Sequence, residues 1–353
     1  MKTLTSLGRQ FRGAAAAGSL ALIGAFGLST AADASLVTFK SYTGNVGLST
    51  DGWGGTGGSG VISAKAPSGS KVVAAYLYTG TFGTLDFSTG NFYTPSVVKL
   101  NGVTVSYTTS GQLPSPACCN LSSHRADVTS IVKSIIDAGG EADDIYDFRV
   151  DEGSDNGKTD GHALVVVYEN DALPEASIGI LDGFASVSGD TTSINFADPL
   201  DPTDPDFFAE MRLGINFSFG PTNPLQSSRV EVNGEVITTN AGGFDDGAGA
   251  NGALITVGGF DDPLSTLLPG YNDDHERYDL KPYINAGDTS IKVDTFNASR
   301  DDNIFLAAFY VKGKAGFNED PDPETPAVPL PAAGWLLAGG LMGLAGLRRR
   351  AKR

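Results

Sequence analysis

Three stretches constrain this chain more than any others: residues 72–79 (VVAAYLYT), 164–168 (LVVVY) and 304–311 (IFLAAFYV). Each is a continuous run of small, β-branched and aromatic side chains. At five to eight residues they are too short for ordinary helices and suit fully buried strands. Residues 97–107 predict a hairpin, in which Asn101-Gly102 supplies the two positive φ values of a type I′ turn between VVKL and VTVSY. Residues 176–187 partly alternate. One segment departs from this pattern. Val128, Ile131, Val132, Ile135 and Ile136 recur at helical spacing after Asp127 and before Gly139-Gly140, predicting one short helix over 128–138. With 46 Gly, 18 Pro and only 18% charged residues, turns are favoured over long helices. The expected class is all-β, a jelly-roll-like β-sandwich with one short helix.

A weak internal repeat refines that expectation. Arg125-Ala126-Asp127-Val128 is matched by Arg277-Tyr278-Asp279-Leu280, with His124 and His275 just upstream. Val98-Lys99-Leu100-Asn101-Gly102 is matched by Val230-Glu231-Val232-Asn233-Gly234. The order of hairpin, R-x-D and apolar strand is the same in both halves. It predicts two related sandwich units, 35–175 and 176–315; one larger sandwich with unrelated hairpins is the alternative. Each R-x-D is expected to tie a loop or helix start to the sheet.

The net charge of -17 conceals a segregation. Lys2, Arg9 and Arg12 precede an apolar stretch, and Arg348, Arg349, Arg350, Lys352 and Arg353 follow another. Between residues 35 and 327 stand 16 basic and 40 acidic residues, a net of -24. Such a body repels phosphate backbones, so nucleic acid is excluded as a partner. Residues 1–34 read as a secretory signal peptide, with Ala32 and Ala34 at the positions a signal peptidase inspects and cleavage before Ser35. Residues 316–327 form an acidic, Pro-rich linker. Beyond it come Val328-Pro329-Leu330-Pro331-Ala332, an apolar run over 332–347 and the basic end, which together read as a short transmembrane helix with a stop-transfer cluster.

That combination, VPLPA followed by AGWLLAGGLMGLAGLRRR, resembles the VPLPA variant of the PEP-CTERM sorting signal. The resemblance covers residues 328–353. It implies handling by an exosortase in a Gram-negative bacterium, removal of the tail and delivery of the body. The expected location is therefore the cell surface, the outer membrane or the extracellular matrix, after transient inner-membrane insertion. Leu330-Pro331-Ala332-Ala333-Gly334 departs from the LPxTG motif of cell-wall sortases by Ala333 in place of Thr, which ranks that reading lower. A plain single-span anchor is the third reading.

Motifs for chemistry are near misses. Residues 52–57 fit G-x-G-x-x-G without a strand–helix unit around them, and residues 153–159 are one residue short of a P-loop. No enzyme is expected. The adjacent Cys118 and Cys119 leave a vicinal disulfide, free thiols or bonds to another chain open. Calcium is the one cofactor considered, with Asp151, Asp155 and Asp160, or Asp198, Asp201, Asp204 and Asp206, as oxygen ligands in turns. The three histidines, His124, His162 and His275, are expected in surface or loop roles. The leading function is a non-enzymatic exported surface or matrix protein. The alternative is a secreted carbohydrate-binding module or glycan-acting hydrolase, meeting extracellular polysaccharide through aromatics such as Trp53, Tyr93 or Tyr271.

Overall fold

A computed structural model describes residues 36–55, 57–83, 92–114, 120–186, 188–216, 228–239, 241, 254–265, 276–297 and 303–320. All belong to one compact unit. They build an all-β fold of four sheets. The first inner sheet has the order β2 (Val46–Trp53), β10 (Thr159–Glu169), β4 (Lys71–Phe82), β8 (Asn120–Asp127), β7 (Thr108–Pro114). The second inner sheet runs β1 (Leu36–Gly44), β11 (Ala176–Gly183), β19 (Asn303–Lys312), β13 (Ala209–Asn216), β16 (Thr256–Val257), with β17 (Arg277–Asp279) also on β13. The first outer sheet is β3 (Ser59–Lys65), β9 (Ile145–Asp151), β5 (Lys99–Leu100), β6 (Val103–Thr104). The second outer sheet is β15 (Glu235–Thr238), β14 (Ser228–Val232), β18 (Ser290–Asn297), β12 (Asp190–Phe196), β20 (Ala315–Phe317).

Three apolar cores separate the four layers. Ile62, Leu100 and Phe148 of the first outer sheet meet Leu77, Leu164 and Val166 of the first inner sheet. Tyr76, Val165 and Val167 of that sheet meet Ile178, Phe305 and Ala308 of the second inner sheet. Met211, Leu213 and Phe309 meet Ile194, Val232 and Ile291 of the second outer sheet. The central strands of both inner sheets, β4, β10, β11, β13 and β19, are therefore covered on both faces and carry little polar alternation. That is why the three apolar runs are continuous. In β10, Leu164 and Val166 enter one core while Val165 and Val167 enter the next.

The two halves of the chain repeat one strand order. Position for position, β2-β10-β4-β8 matches β11-β19-β13-β17, and β3-β9-β5-β6 matches β12-β18-β14-β15. Local geometry repeats too. Asn101 and Asn233 both adopt positive φ, 47° and 51°, each followed by a positive-φ glycine. Each side-chain amide oxygen accepts the backbone N–H of the neighbouring strand, Arg149 at 2.6 Å and Lys292 at 2.9 Å. Asp127 accepts the Thr129 N–H and Asp279 the Lys281 N–H, both at 2.9 Å. Each aspartate thus precedes a helical turn: α1 (Thr129–Ile136) in the first half, and the 3₁₀ turn Lys281–Tyr283, with Pro282 within it, in the second. The arginine of the first half crosses the seam between the inner sheets, and that of the second half bonds the neighbouring strand β13 of its own sheet. Arg125 pairs with Asp182 of β11, and Arg277 bonds Glu210 at 3.0 Å. In this register Glu276 stands where His124 stands; His275 lies outside the described residues.

Two expectations need correction. The transmembrane helix and the transient inner-membrane anchoring it implied are not supported, because no helix among the described residues is long and apolar enough to cross a membrane. The α-helix there, α1, has eight residues, about 12 Å against a hydrocarbon core of about 30 Å. Residues 332–347 lie outside the described part, as do Ala32, Ala34, Val328, Pro329, Leu330, Pro331, Ala332, Arg348, Arg349, Arg350, Lys352, Arg353, Cys118 and Cys119. The surface-or-loop role expected of the histidines is also wrong for two of them: His124 and His162 are fully buried strand residues.

Candidate functional site

The connection from β12 to β13, residues 197–208, carries Asp198, Asp201, Asp204 and Asp206. It folds over a cavity of about 200 Å³ at one end of the second half. Phe196, Leu200 and Phe207 form the nearly buried apolar part of its lining. Asp198, Asp201, Asp204, Lys312 and Lys314 supply the polar part. The loop is tied down throughout. The Asp201 carboxylate accepts the Thr203 N–H at 2.9 Å and its hydroxyl at 2.6 Å. Asp204 accepts the Asp206 N–H at 2.9 Å and pairs with Lys312 at 2.8 Å. The Lys281 ammonium donates to the carbonyls of Asp204 and Phe207, at 3.2 and 3.3 Å. The Thr203 hydroxyl holds the Asp201 carboxyl below its usual range, and the Lys312 ammonium does the same for Asp204. Both are ionised near neutrality.

The other three acidic candidates serve separate roles. Asp151 is exposed and accepts the Gly153 N–H at 3.0 Å. Asp155 is buried and accepts the N–H groups of Ser96 and Val97, each at 2.8 Å, and the Tyr93 hydroxyl. Burial pushes its carboxyl up, but these donors and Lys158 outweigh burial and hold it below the usual range. Asp160 is buried in β10, and its carbonyl accepts the Ile255 N–H at 3.0 Å. Among the described residues, no group of three or more His, Cys, Asp and Glu side chains is placed to hold a metal ion.

A second polar cluster went unrecognised in the sequence. Trp53, His162, Thr79, His124 and Thr109 lie opposite one another on five successive strands of the first inner sheet. His162 Nε2 lies 3.1 Å from Glu152 Oε1, and its Nδ1 lies 3.1 Å from the Tyr107 hydroxyl. Thr159 donates to the same Glu152 oxygen at 2.5 Å, while Glu152 Oε2 is buried without a hydrogen-bond partner. His124 Nε2 faces the Tyr93 carbonyl at 2.8 Å. A carbonyl only accepts, so that nitrogen carries the proton and Nδ1 accepts from Thr109 at 3.3 Å. Burial drops the His124 pKa to about 4, against the Tyr93 carbonyl, which favours the charged ring. Glu152, His124 and His162 are fully buried, while Trp53 is half-buried and Thr109, on the edge strand, is exposed.

The aromatics expected to meet a glycan are otherwise engaged. The Trp53 ring lies over Gly55 and Gly60, where added Cβ atoms would come within 2.9 and 2.1 Å of it, and it stacks on His162. Tyr93 bonds Asp155, and the Lys158 ammonium lies 4.3 Å from its ring centre. Tyr271 lies outside the described residues. No protein-family model and no curated protein matches the chain.

Proposed function

We propose that this chain is a non-enzymatic exported protein of the bacterial surface or extracellular matrix, released from a signal peptide over 1–34 and sorted through the VPLPA-type signal at 328–353. The observation that carries the reading is that Leu36 is already paired and buried. Leu36, two residues beyond Ala34, is already buried, pairs with Gly183 and gives its N–H to Asp190 at 3.3 Å. Cleavage before Ser35 would leave Leu36 and its pairing with Gly183 in place. At the other end β20 stops at Phe317, whose carbonyl accepts the Thr38 hydroxyl at 3.0 Å, so the first and last strands of the body are joined before the linker continues. The body is read as two related, jelly-roll-like sandwich units packed on their inner sheets, which the repeated strand order supports. Mass spectrometry of the exported protein tests the proposal. The expected species starts at Ser35 and lacks Arg353, and disruption of an exosortase gene restores the tail. A mature form ending at Arg353 in the normal host would refute the sorting step.

A second reading, a secreted carbohydrate-binding module or glycan-acting hydrolase, is favoured by one feature, the cavity under loop 197–208. A glycan array tests it, and release of reducing sugar separates hydrolase from binding module.

A further inference from the structure

We propose that the cavity beneath residues 197–208 is a subsite for one uncharged pyranose ring of an extracellular polysaccharide. This inference rests on the carbohydrate-binding reading and narrows it to one place and one ligand class. Size is the first argument. About 200 Å³ accommodates a single sugar ring but falls below the roughly 300 Å³ at which drug-sized pockets begin. Chemistry is the second. Phe196, Leu200 and Phe207 offer an apolar floor to the C–H face of a ring, while carboxylates of both Asp198 and Asp201 can accept from hydroxyls and Lys312 and Lys314 can donate. A ring bearing hydroxyls needs both kinds of partner on an apolar floor. A phosphate or uronate would meet three carboxylates against two ammonium groups.

Architecture is the third argument. The equivalent connection in the first half, from β3 to β4, is residues 66–70 alone, closed by a bond from the Ser70 N–H to the Pro67 carbonyl at 3.0 Å. The fold is thus completed by five residues there, and the twelve of 197–208 are not needed to join the strands. They are nevertheless braced from outside: the Leu200 N–H bonds the Asp288 carbonyl at 2.7 Å, and the Lys312 N–H the Phe208 carbonyl at 3.0 Å. A braced rim loses little freedom when a ligand arrives.

The test uses the full-length protein. A glycan array with neutral, amino-sugar and uronate polymers comes first, followed by calorimetric titration with the best neutral oligosaccharide. Asp198→Ala and Lys314→Ala are each expected to weaken binding about tenfold, the loss of one charge-assisted hydrogen bond. Asp206→Ala, on the same loop but away from the cavity, is expected to leave binding unchanged. All three side chains are exposed, and the melting temperature of each variant, measured beside its binding, separates loss of binding from loss of fold. Neutral-glycan binding that survives both cavity substitutions leaves the carbohydrate reading standing and overturns the subsite. Preference for uronates also overturns it, and no glycan binding at all removes both.

Discussion

The first and second halves of this molecule solve the same edge problem differently. Strands β3 and β12 are equivalents, and each would leave a row of backbone groups unpaired at the border of its outer sheet. In the second half β20 pairs with β12 and closes the border with backbone. In the first half side chains of β2 do it: Asp51 accepts the Ser63 N–H at 2.5 Å and Ser49 accepts the Lys65 N–H at 2.9 Å. One position decides between the two solutions. Asp51 faces Leu164, and its equivalent Gly179 faces Phe309. A Cβ on Gly179 would lie 2.5 Å from the Phe317 ring, so only glycine lets β20 seat there. A repeated strand order therefore tolerates divergent closures, provided that each edge N–H finds an acceptor.

The buried rung diverges as well. Where the first half has Trp53, His162 and Thr79, the second has Leu181, Ala307 and Leu213, all within an apolar core. The fold itself does not require imidazole at this level. His162→Leu should give the largest effect, because it strands Glu152 in the interior. A loss of about 3–5 kcal/mol is expected by chemical denaturation, and Glu152→Leu added to it should restore most of that loss. A double variant as unstable as the single one would mean that the pair is not the determinant.

Gly179→Ala should cost about 1–3 kcal/mol by forcing Phe317 aside, whereas alanine at Asp51 creates no such clash. A Gly179→Ala variant as stable as the parent would break the role given to that position. Asp51 itself adds a pH dependence confined to the first half. Burial, followed by the charges of Asp261 and Asp262, raises its pKa from 3.8 to about 7, against the lowering effect of the Ser63 N–H. The folded state therefore holds a proton that the unfolded state releases. This contribution is fully present below about pH 4 and is lost as pH rises toward 7. Asp51→Asn should flatten the stability profile between those limits, by on the order of 2 kcal/mol once solvent screening is discounted. Denaturation midpoints at pH 4.5 and 8 check it, and an unchanged difference between them would remove Asp51 as the source.

The smallest effect tests what the halves share. Asp127→Ala and Asp279→Ala each remove an acceptor at the start of a helical turn, so each should cost about 1 kcal/mol. A loss at Asp127 alone would show that the 3₁₀ turn in the second half needs no such anchor.

Strands β4, β10 and β19 were legible because burial on both faces leaves an uninterrupted apolar run. The hairpin at Asn101-Gly102 and the helix near 128–138 were legible because positive φ and helical spacing are local demands. Strand β8 was not, since Ser122, Ser123 and His124 are polar yet buried, and their partners lie on other strands. Ser123 donates to the Gly183 carbonyl, sixty residues away, at 2.8 Å. The acidic candidates were legible as residues but not as roles. A carboxylate in a turn looks the same in sequence whether it anchors a backbone N–H, as Asp155 does, or lines a cavity, as Asp198 does.

By itself the sequence determined the strand-rich class, the buried runs, the two Asn-Gly turns, the repeated R-x-D and an acidic body between basic ends. Each follows from the preferences of neighbouring residues or from a count. The tertiary structure alone decided that β1 joins the second inner sheet, that Glu152 faces His162, and that Asp198, Asp201 and Asp204 line a cavity under a braced loop. Those outcomes depend on which distant surfaces exclude water together, a property of the packed layers that no window along the chain contains.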